Sequence, residues 1–458
     1  MATVGLNFGS PTGGQGFDVT TTVNSILGIQ TAIEAPWKAQ IASLQAQDTQ
    51  LTSLGTDLAS LSSALSPLTD FEGLFAAKQG SSSNTNVLTL TSAGTTAAAG
   101  SHTIVVTSLA QTSSAFSDVI TNASDVLTGT LSIKIGSGSG PGTSVPIDSG
   151  GETLAQLSAT INSGSYGVTA SVITSTAGSR LSLVSNTGGT AGLVTVTSGL
   201  TDPSTSSTPV GFPVNPPGAD AVLTVDGLQT TSASNTVTGA IPGVTFQLLS
   251  SPLDTQVQVL VTNDNNSIET QAQSLVTAYN KIVSDIKTQE GNDSTGTPEP
   301  LFGSPTLSLL QTQLSQALYA TVGSGSISSL DQIGITSQED GTLALDTSTL
   351  DSALNSNYSS VQGYFQNLDS FGYNLNTTLE SLSSTNPIGA TYLALRQNST
   401  EEASLNKNIA TEDASIATQK ITLTAELNAA NEILQGIPDQ LNQVAELYNS
   451  FTGYNQSK

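Results

Sequence analysis

Residues 51–68, LTSLGTDLASLSSALSPL, decide the fold class. Leu51, Leu54, Leu58, Leu61, Leu65 and Leu68 recur in alternating steps of three and four. That spacing lines one stripe of an α-helix and forms the seam of a coiled coil. Upstream, Ile41 and Leu44 carry the stripe back towards Trp37. Before them Asp18 reads as the N-cap of an earlier helix with Val23, Ile26, Leu27 and Ile33 on one face. Pro36 marks a kink or the start of a second helix, and Pro67 and Gly73 close the segment.

The far end of the chain mirrors this pattern. Ile409, Ile416, Leu423, Ala430, Ile437 and Val444 recur every seven residues, and Leu427, Leu434, Leu441 and Tyr448 follow four residues after members of that set. Asp413 and Lys420 stand at seam positions and weaken the upstream part. Two such stripes at opposite ends of one chain are best explained as antiparallel partners, with everything else inserted between them. A fully buried Leu contributes about 1.5–3 kcal/mol, so stripes this long need a partner surface. The pattern leaves two partners open, the chain's own helices in a bundle or another subunit.

Between the stripes the period changes from helical to strand-like. Val87–Thr91, Thr103–Thr107, Leu131–Ile135, Val168–Val172, Leu181–Val184, Leu193–Thr197, Ala221–Val225, Val244–Leu248 and Gln256–Val261 are short, alternating and β-branched. Residues 75–262 therefore read as all-β, with one short helix at Thr153–Asn162. The stretch Pro203–Pro217 reads as a linker between two β modules. Helix returns at Ile268–Lys287 behind a capping box of Asn266 and Glu269, and again at Thr306–Ala320. Asp340-Gly341, between Ile333–Ile335 and Leu343–Leu345, predicts a tight hairpin turn.

The expected class is α+β multidomain, with terminal helices in a coiled coil or bundle and a large all-β insertion of two modules. Its parts are a flexible tail at 1–16, an N-terminal helical leg at 17–74 and a first β module at 75–120 with 205–262. The second β module is inserted at 121–204. A helical region with a small hairpin follows at 263–390, then a C-terminal helical leg at 391–458.

Composition narrows the function classes. Ten Lys and Arg against 35 Asp and Glu give a net charge of −25 over 458 residues. So few cations cannot neutralise phosphates, which argues against nucleic acid and against anionic membrane as partners. Cysteine is absent, excluding disulfides and thiolate chemistry, and a single histidine cannot supply a His-rich metal cluster. No run of about 18 apolar residues predicts a membrane span. Residues 1–16 lack the basic and apolar regions of a cleaved signal peptide.

Motifs that carry chemistry are missing too. The run Gly136–Gly142 lacks the Lys-Ser/Thr of a phosphate loop and reads as a hairpin tip. No Ser sits in a G-x-S-x-G frame. His102 reads as a solvated strand-end residue. Asn263 to Asn266 with Glu269 lacks the Gly and spacing of a calcium loop and reads as helix capping. The acidic pairs Glu401-Glu402 and Glu412-Asp413 read as a solvated helix face. No catalytic, cofactor-binding or metal-ligating residue is assigned.

Several stretches, in order along the chain, resemble the flagellar cap family, also called hook-associated protein 2. Gly16-Phe17-Asp18-Val19 with Glu34-Ala35-Pro36 resembles its opening helix motif. Gly100 through Thr103 and Val106 to Gln111 is similar to its next segment. Thr153 to Asn162, then Gly167 to Val172 and Arg180 to Leu183, resembles a repeat shared by flagellins and hook-associated proteins. Val225-Asp226-Gly227, Ile241-Pro242-Gly243-Val244, Ala278-Tyr279-Asn280 and Asp340-Gly341-Thr342-Leu343 fit the remainder. The polar end Phe451–Lys458 and a last helix without Met depart from the family pattern.

The resemblance implies a non-enzymatic homo-oligomer without cofactors, a ring or plate at the filament tip. It implies flagellin, a neighbouring hook-associated protein and an export chaperone as partners, and an extracellular location at the flagellum tip. Export would run through the flagellar type III pore without a cleaved leader. The expected interaction residues are the seam positions Leu44, Leu51, Leu54, Leu58, Leu61 and Leu65, with Ile409, Ile416, Leu423, Leu427, Leu434 and Leu441. A surface adhesin or fibre protein is the competing class, and an enzyme hidden in the β region the third.

Overall fold

The structure, a computed structural model, describes residues 16–138, 142–147, 150–205, 208–320 and 326–452. The expected flexible tail, apart from Gly16, lies outside the described residues, as does the tip of the Gly136–Gly142 run at 139–141. The helices in chain order are α1 (Val19–Thr31), α2 (Glu34–Thr69), α3 (Leu154–Ser163), α4 (Asn265–Gln289), α5 (Pro305–Tyr319), α6 (Thr347–Gln366), α7 (Phe371–Leu382) and α8 (Ala390–Thr452). The chain forms two compact units, Asp70–Ile268 and the remainder, Met1–Thr69 with Glu269–Lys458.

The helical unit is built on the stretch that decides the fold. Leu51, Leu54, Leu58, Leu61, Leu65 and Leu68 are all buried, and α2 packs this face against α6, α7 and α8. Gly55 on the same helix permits close approach, because a Cβ there would lie 2.5 Å from the Ser384 hydroxyl. Tyr364 and Phe365 of α6 pack with Phe371 at the start of α7, Tyr364 and Phe371 being stacked with ring centroids 5.1 Å apart. Pro36 sits in the first turn of α2, where its missing N–H costs nothing, so it begins a helix rather than kinking one.

Two local expectations are corrected. The N-terminus of α4 is capped by Asp264, whose carboxylate accepts the Ser267 N–H at 3.2 Å and the Ser267 hydroxyl at 2.5 Å. An Asp one position ahead of the helix reaches its free N–H groups better than Asn266 does from inside it. The hairpin of Ile335–Ser337 and Leu343–Leu345 forms, but across a five-residue loop closed by Gln338 N–H to Thr342 O at 2.8 Å. Gly341 supplies the left-handed residue (φ 85°) inside that loop rather than half of a two-residue turn.

The β unit holds two cores. In the first, a five-stranded antiparallel sheet has the order Lys78–Ser82, Gln256–Asn263, Gly100–Ser108, Ala221–Val225, Leu228–Ser232. Its register places Val257, Ile104 and Val225 in one row of the buried face. A second sheet of Thr236–Ile241, Val244–Leu248 and Leu88–Ala93 closes over it, with Phe246 and Leu88 fully buried. The turn between Val225 and Leu228 carries Asp226 and Gly227, both at positive φ, the signature of a two-residue hairpin.

The second core runs from Ala115 to Val210. Two three-stranded sheets and α3 enclose Leu131, Ile133, Leu154, Leu157, Ile161, Leu181 and Leu183. Helix α3 opens with a true capping box, Thr153 and Gln156 each accepting from the other's backbone. It is tied to strand Val168–Ser175 by Asn162, which exchanges two 2.7 Å hydrogen bonds with the backbone of Ala170. The Pro-rich stretch joins the cores but is not a free linker. Thr208–Val210 pairs with Leu200–Asp202, and Phe116 and Ser114 donate to the carbonyls of Val214 and Pro216.

Candidate interaction site on the terminal helices

The ends of the chain meet as an antiparallel pair. Asp18 caps α1, accepting the Thr21 hydroxyl at 2.6 Å and the Thr21 N–H at 3.0 Å, and these contacts, the hydroxyl's first, hold its carboxyl below the usual range. Phe17, Val19, Val23 and Leu27 are buried, packed against Ile416, Leu423, Leu427 and Leu434 of α8. The Phe17 N–H donates to Asn431 Oδ1 at 2.8 Å, one of the contacts that mark how the two helices line up.

Beyond α1 the pairing is polar. Ala32 and Ile33 break the helix, and Glu34 follows with its side chain only 3% exposed. Lys38 Nζ lies 2.7 Å from Glu34 Oε2, lowering the Glu34 pKa and raising its own. Asp413 of α8, the polar seam residue, interacts with both. Further along, Gln40 donates to Glu401 at 3.4 Å and Asn398 to Asp48 at 2.7 Å. The contacts of Asp413, of Gln40 with Glu401 and of Asn398 with Asp48 continue the antiparallel order begun by Phe17 and Asn431.

The expected seam residues fall into three groups. Leu51, Leu54, Leu58, Leu61 and Leu65 lie inside the helical unit, where the chain itself covers them. Leu44, Ile409, Ile416, Leu423, Leu427 and Leu434 are half-buried along the α1–α2–α8 pairing. Leu441 is half-exposed and has no such cover. From there Val444, Tyr448 and Phe451 continue in steps of four and three at 63%, 64% and 83% exposure. Pro438 precedes this stripe, and its ring nitrogen cannot donate to the Leu434 carbonyl. Sequence reading missed Asn431 and Glu34 as pairing residues. Their signal was the polar position Asp413 opposite a helix break.

Elsewhere the geometry is structural. His102 Nδ1 lies 2.8 Å from Asp226 Oδ2, and Asp226 also accepts the Thr103 N–H at 2.8 Å, so the histidine braces the 225–228 turn. In the helical unit Lys281 of α4 contacts Asp285 and lies 3.5 Å from Asp57 Oδ2. Burial, reinforced by Asp285, pushes the Asp57 carboxyl up to about 6. Among the described residues no helix is long and apolar enough to cross a membrane.

Family models match most of this chain. Residues 15–113 match the flagellar hook-associated protein 2 N-terminus and residues 218–450 its C-terminus. The chain belongs to the flagellar hook-associated protein 2 family. The flagellin hook IN motif matches residues 130–187, the part of the second β core that contains α3. The B-type flagellar hook-associated protein 2 of Pseudomonas aeruginosa is 27% identical over 96% of this chain and 95% of its own length. The flagellar hook-associated protein 2 of Escherichia coli K12 is 30% identical over 76% of this chain and 78% of that one. The crystal structure of the Escherichia coli flagellar cap protein FliD, domains D1-D2-D3, superimposes with a TM-score of 0.59 at 27% identity. It covers 76% of this chain and 99% of that one. Membership of the hook-associated protein 2 family makes this a structural flagellar filament cap protein and not an enzyme. The adhesin reading finds no support among these relatives.

Proposed function

We propose that the chain is one subunit of a homo-oligomeric ring or plate at the filament tip, where it promotes folding and insertion of exported flagellin. The single observation that carries the docking part of this reading is the exposed stripe Leu441, Val444, Tyr448 and Phe451. It continues the heptad of a helix whose upstream turns are already paired within the chain. An apolar stripe of this kind fits the stripe of another helix, as in a coiled coil. The terminal helices would act as legs against the newest flagellins, and the β cores would form the plate. Leu51 to Leu65 would hold the helical unit together, leaving Leu441 and the turns beyond it as the contact surface.

The neighbouring partners in this reading are flagellin, another hook-associated protein below it and an export chaperone. The route would be flagellar type III export. The absence of cysteine suits such a route, because no disulfide has to form before or after threading. Electron microscopy of a deletion strain carrying Leu441→Asp with Tyr448→Asp tests the reading. Short or missing filaments, with monomeric flagellin in the medium, are expected. Filaments of normal length in that strain would contradict it.

A further inference from the structure

The apolar seam between α1 and α8 does not by itself fix a register. Its C-terminal side repeats every seven residues, so a move of α1 one heptad towards the C-terminal end of α8 would set its apolar face on Leu423, Ala430, Leu434 and Leu441 in place of Ile416, Leu423, Leu427 and Leu434. The hydrogen bond from Phe17 to Asn431 is lost in such a move, but it is one contact at the edge of the pair. What opposes the move lies at the joint. Glu34 is buried with one oxygen on Lys38 and the other, Oε1, without a hydrogen-bond partner, and Asp413 stands against both residues. The Gln30 side-chain oxygen is also buried and unpartnered there.

The joint also holds the slack such a move requires. Nothing lies within 4 Å of a Cβ placed on Gly28, Ile29 and Ile33 are more than half exposed, and the helix is already broken at Ala32 and Ile33. Unwinding residues 28–36 lengthens nine residues from about 13 Å to about 30 Å, more than the about 10 Å of one heptad. The chain beyond Leu51 is held in the helical core and cannot follow, so the move runs in one direction only.

We propose that Glu34, Lys38 and Asp413 form a register lock, and that α1 has a second, extended register one heptad further along α8. In that register Glu34 leaves its buried site for water, and α1 covers the part of α8 around Leu441. Glu34 is desolvated while Lys38 stays 60% exposed, and one Glu34 oxygen has no hydrogen-bond partner, which suits a lock between two states better than a device for stability. The inference concerns the chain alone and holds whatever the leg docks against.

The chain has no cysteine, so engineered pairs report register without background. Val23→Cys with Leu423→Cys reports the present register, and Val23→Cys with Ala430→Cys the extended one. Each pair is oxidised in the otherwise unchanged full chain and in Lys38→Met, which leaves the Glu34 carboxylate without its cation. The extended-register disulfide should rise at least about tenfold in Lys38→Met. If that substitution instead abolishes both disulfides, Glu34→Leu with Asp413→Leu removes the lock while keeping the helices apolar, and the same rise is expected there. Only the 23–423 disulfide, at unchanged yield in both backgrounds, would overturn the proposal.

Discussion

Phe17 and Asn431 are joined by a 2.8 Å hydrogen bond across 414 residues of sequence. The contact pairs the residue before the α1 N-cap with a point about three turns before the exposed Leu441 of α8. Replacing Asn431 by Ala leaves the Phe17 N–H without its partner, a loss of about 1–3 kcal/mol for a group that stays buried. The effect should be local. Hydrogen exchange of α1 amides is expected to accelerate, with the β unit unchanged.

The split of the leucine stripe predicts opposite outcomes for identical substitutions. Leu58→Ala opens a cavity in the helical unit and should cost about 2–5 kcal/mol in urea unfolding. Leu441→Ala removes a half-exposed side chain and should stay within about 0.5 kcal/mol of the parent.

That split also marks the limit of the sequence. The heptad at 51–68, the mirrored stripe and most of the β-branched strands were legible, because periodicity reports directly which face is apolar. It does not report what covers the face, so Leu51 and Leu441 looked alike. Short polar edge strands such as Lys78–Ser82 were invisible, since they bury no apolar side chain: their backbones pair with Asn263 to Val259, and Lys78 and Gln79 reach Asn263 with their side chains. The cap at Asp264 was misassigned because Asn266 and Glu269 also match the capping-box pattern. The pairing at Asn431 left no trace beyond one polar residue beside the seam.

Asn280 of α4 holds the small hairpin by two hydrogen bonds to Leu343, accepting its N–H at 2.7 Å and donating to its carbonyl at 2.8 Å. Asn280→Ala should therefore destabilise the helical unit by roughly 2 kcal/mol. Rapid exchange of the Leu343 amide, against little change in α2, is the specific sign.

One ammonium, Lys281, serves two carboxylates, and Asp57 is the more enclosed of them. Its folded pKa of about 6 lies above the ordinary 3.8, so the folded state holds the extra proton between those values. Stability from this group therefore falls as pH rises from about 4 to about 6 and stays lower above that. Asp285 is shifted downwards, and its contribution is lost only at still lower pH. Asp57→Asn should raise Tm at pH 7, change it little at pH 4, and flatten the profile between them. An unchanged slope in that window would place the titration elsewhere.

The central claim is that the exposed end of α8 meets flagellin. A photo-crosslinking amino acid at Val444, activated in cells with growing filaments, tests it at the residue concerned. The account predicts a covalent adduct between this chain and flagellin, lost when crosslinking is done on purified chain alone. Adducts only between copies of this chain, in cells whose filaments grow normally, would contradict it.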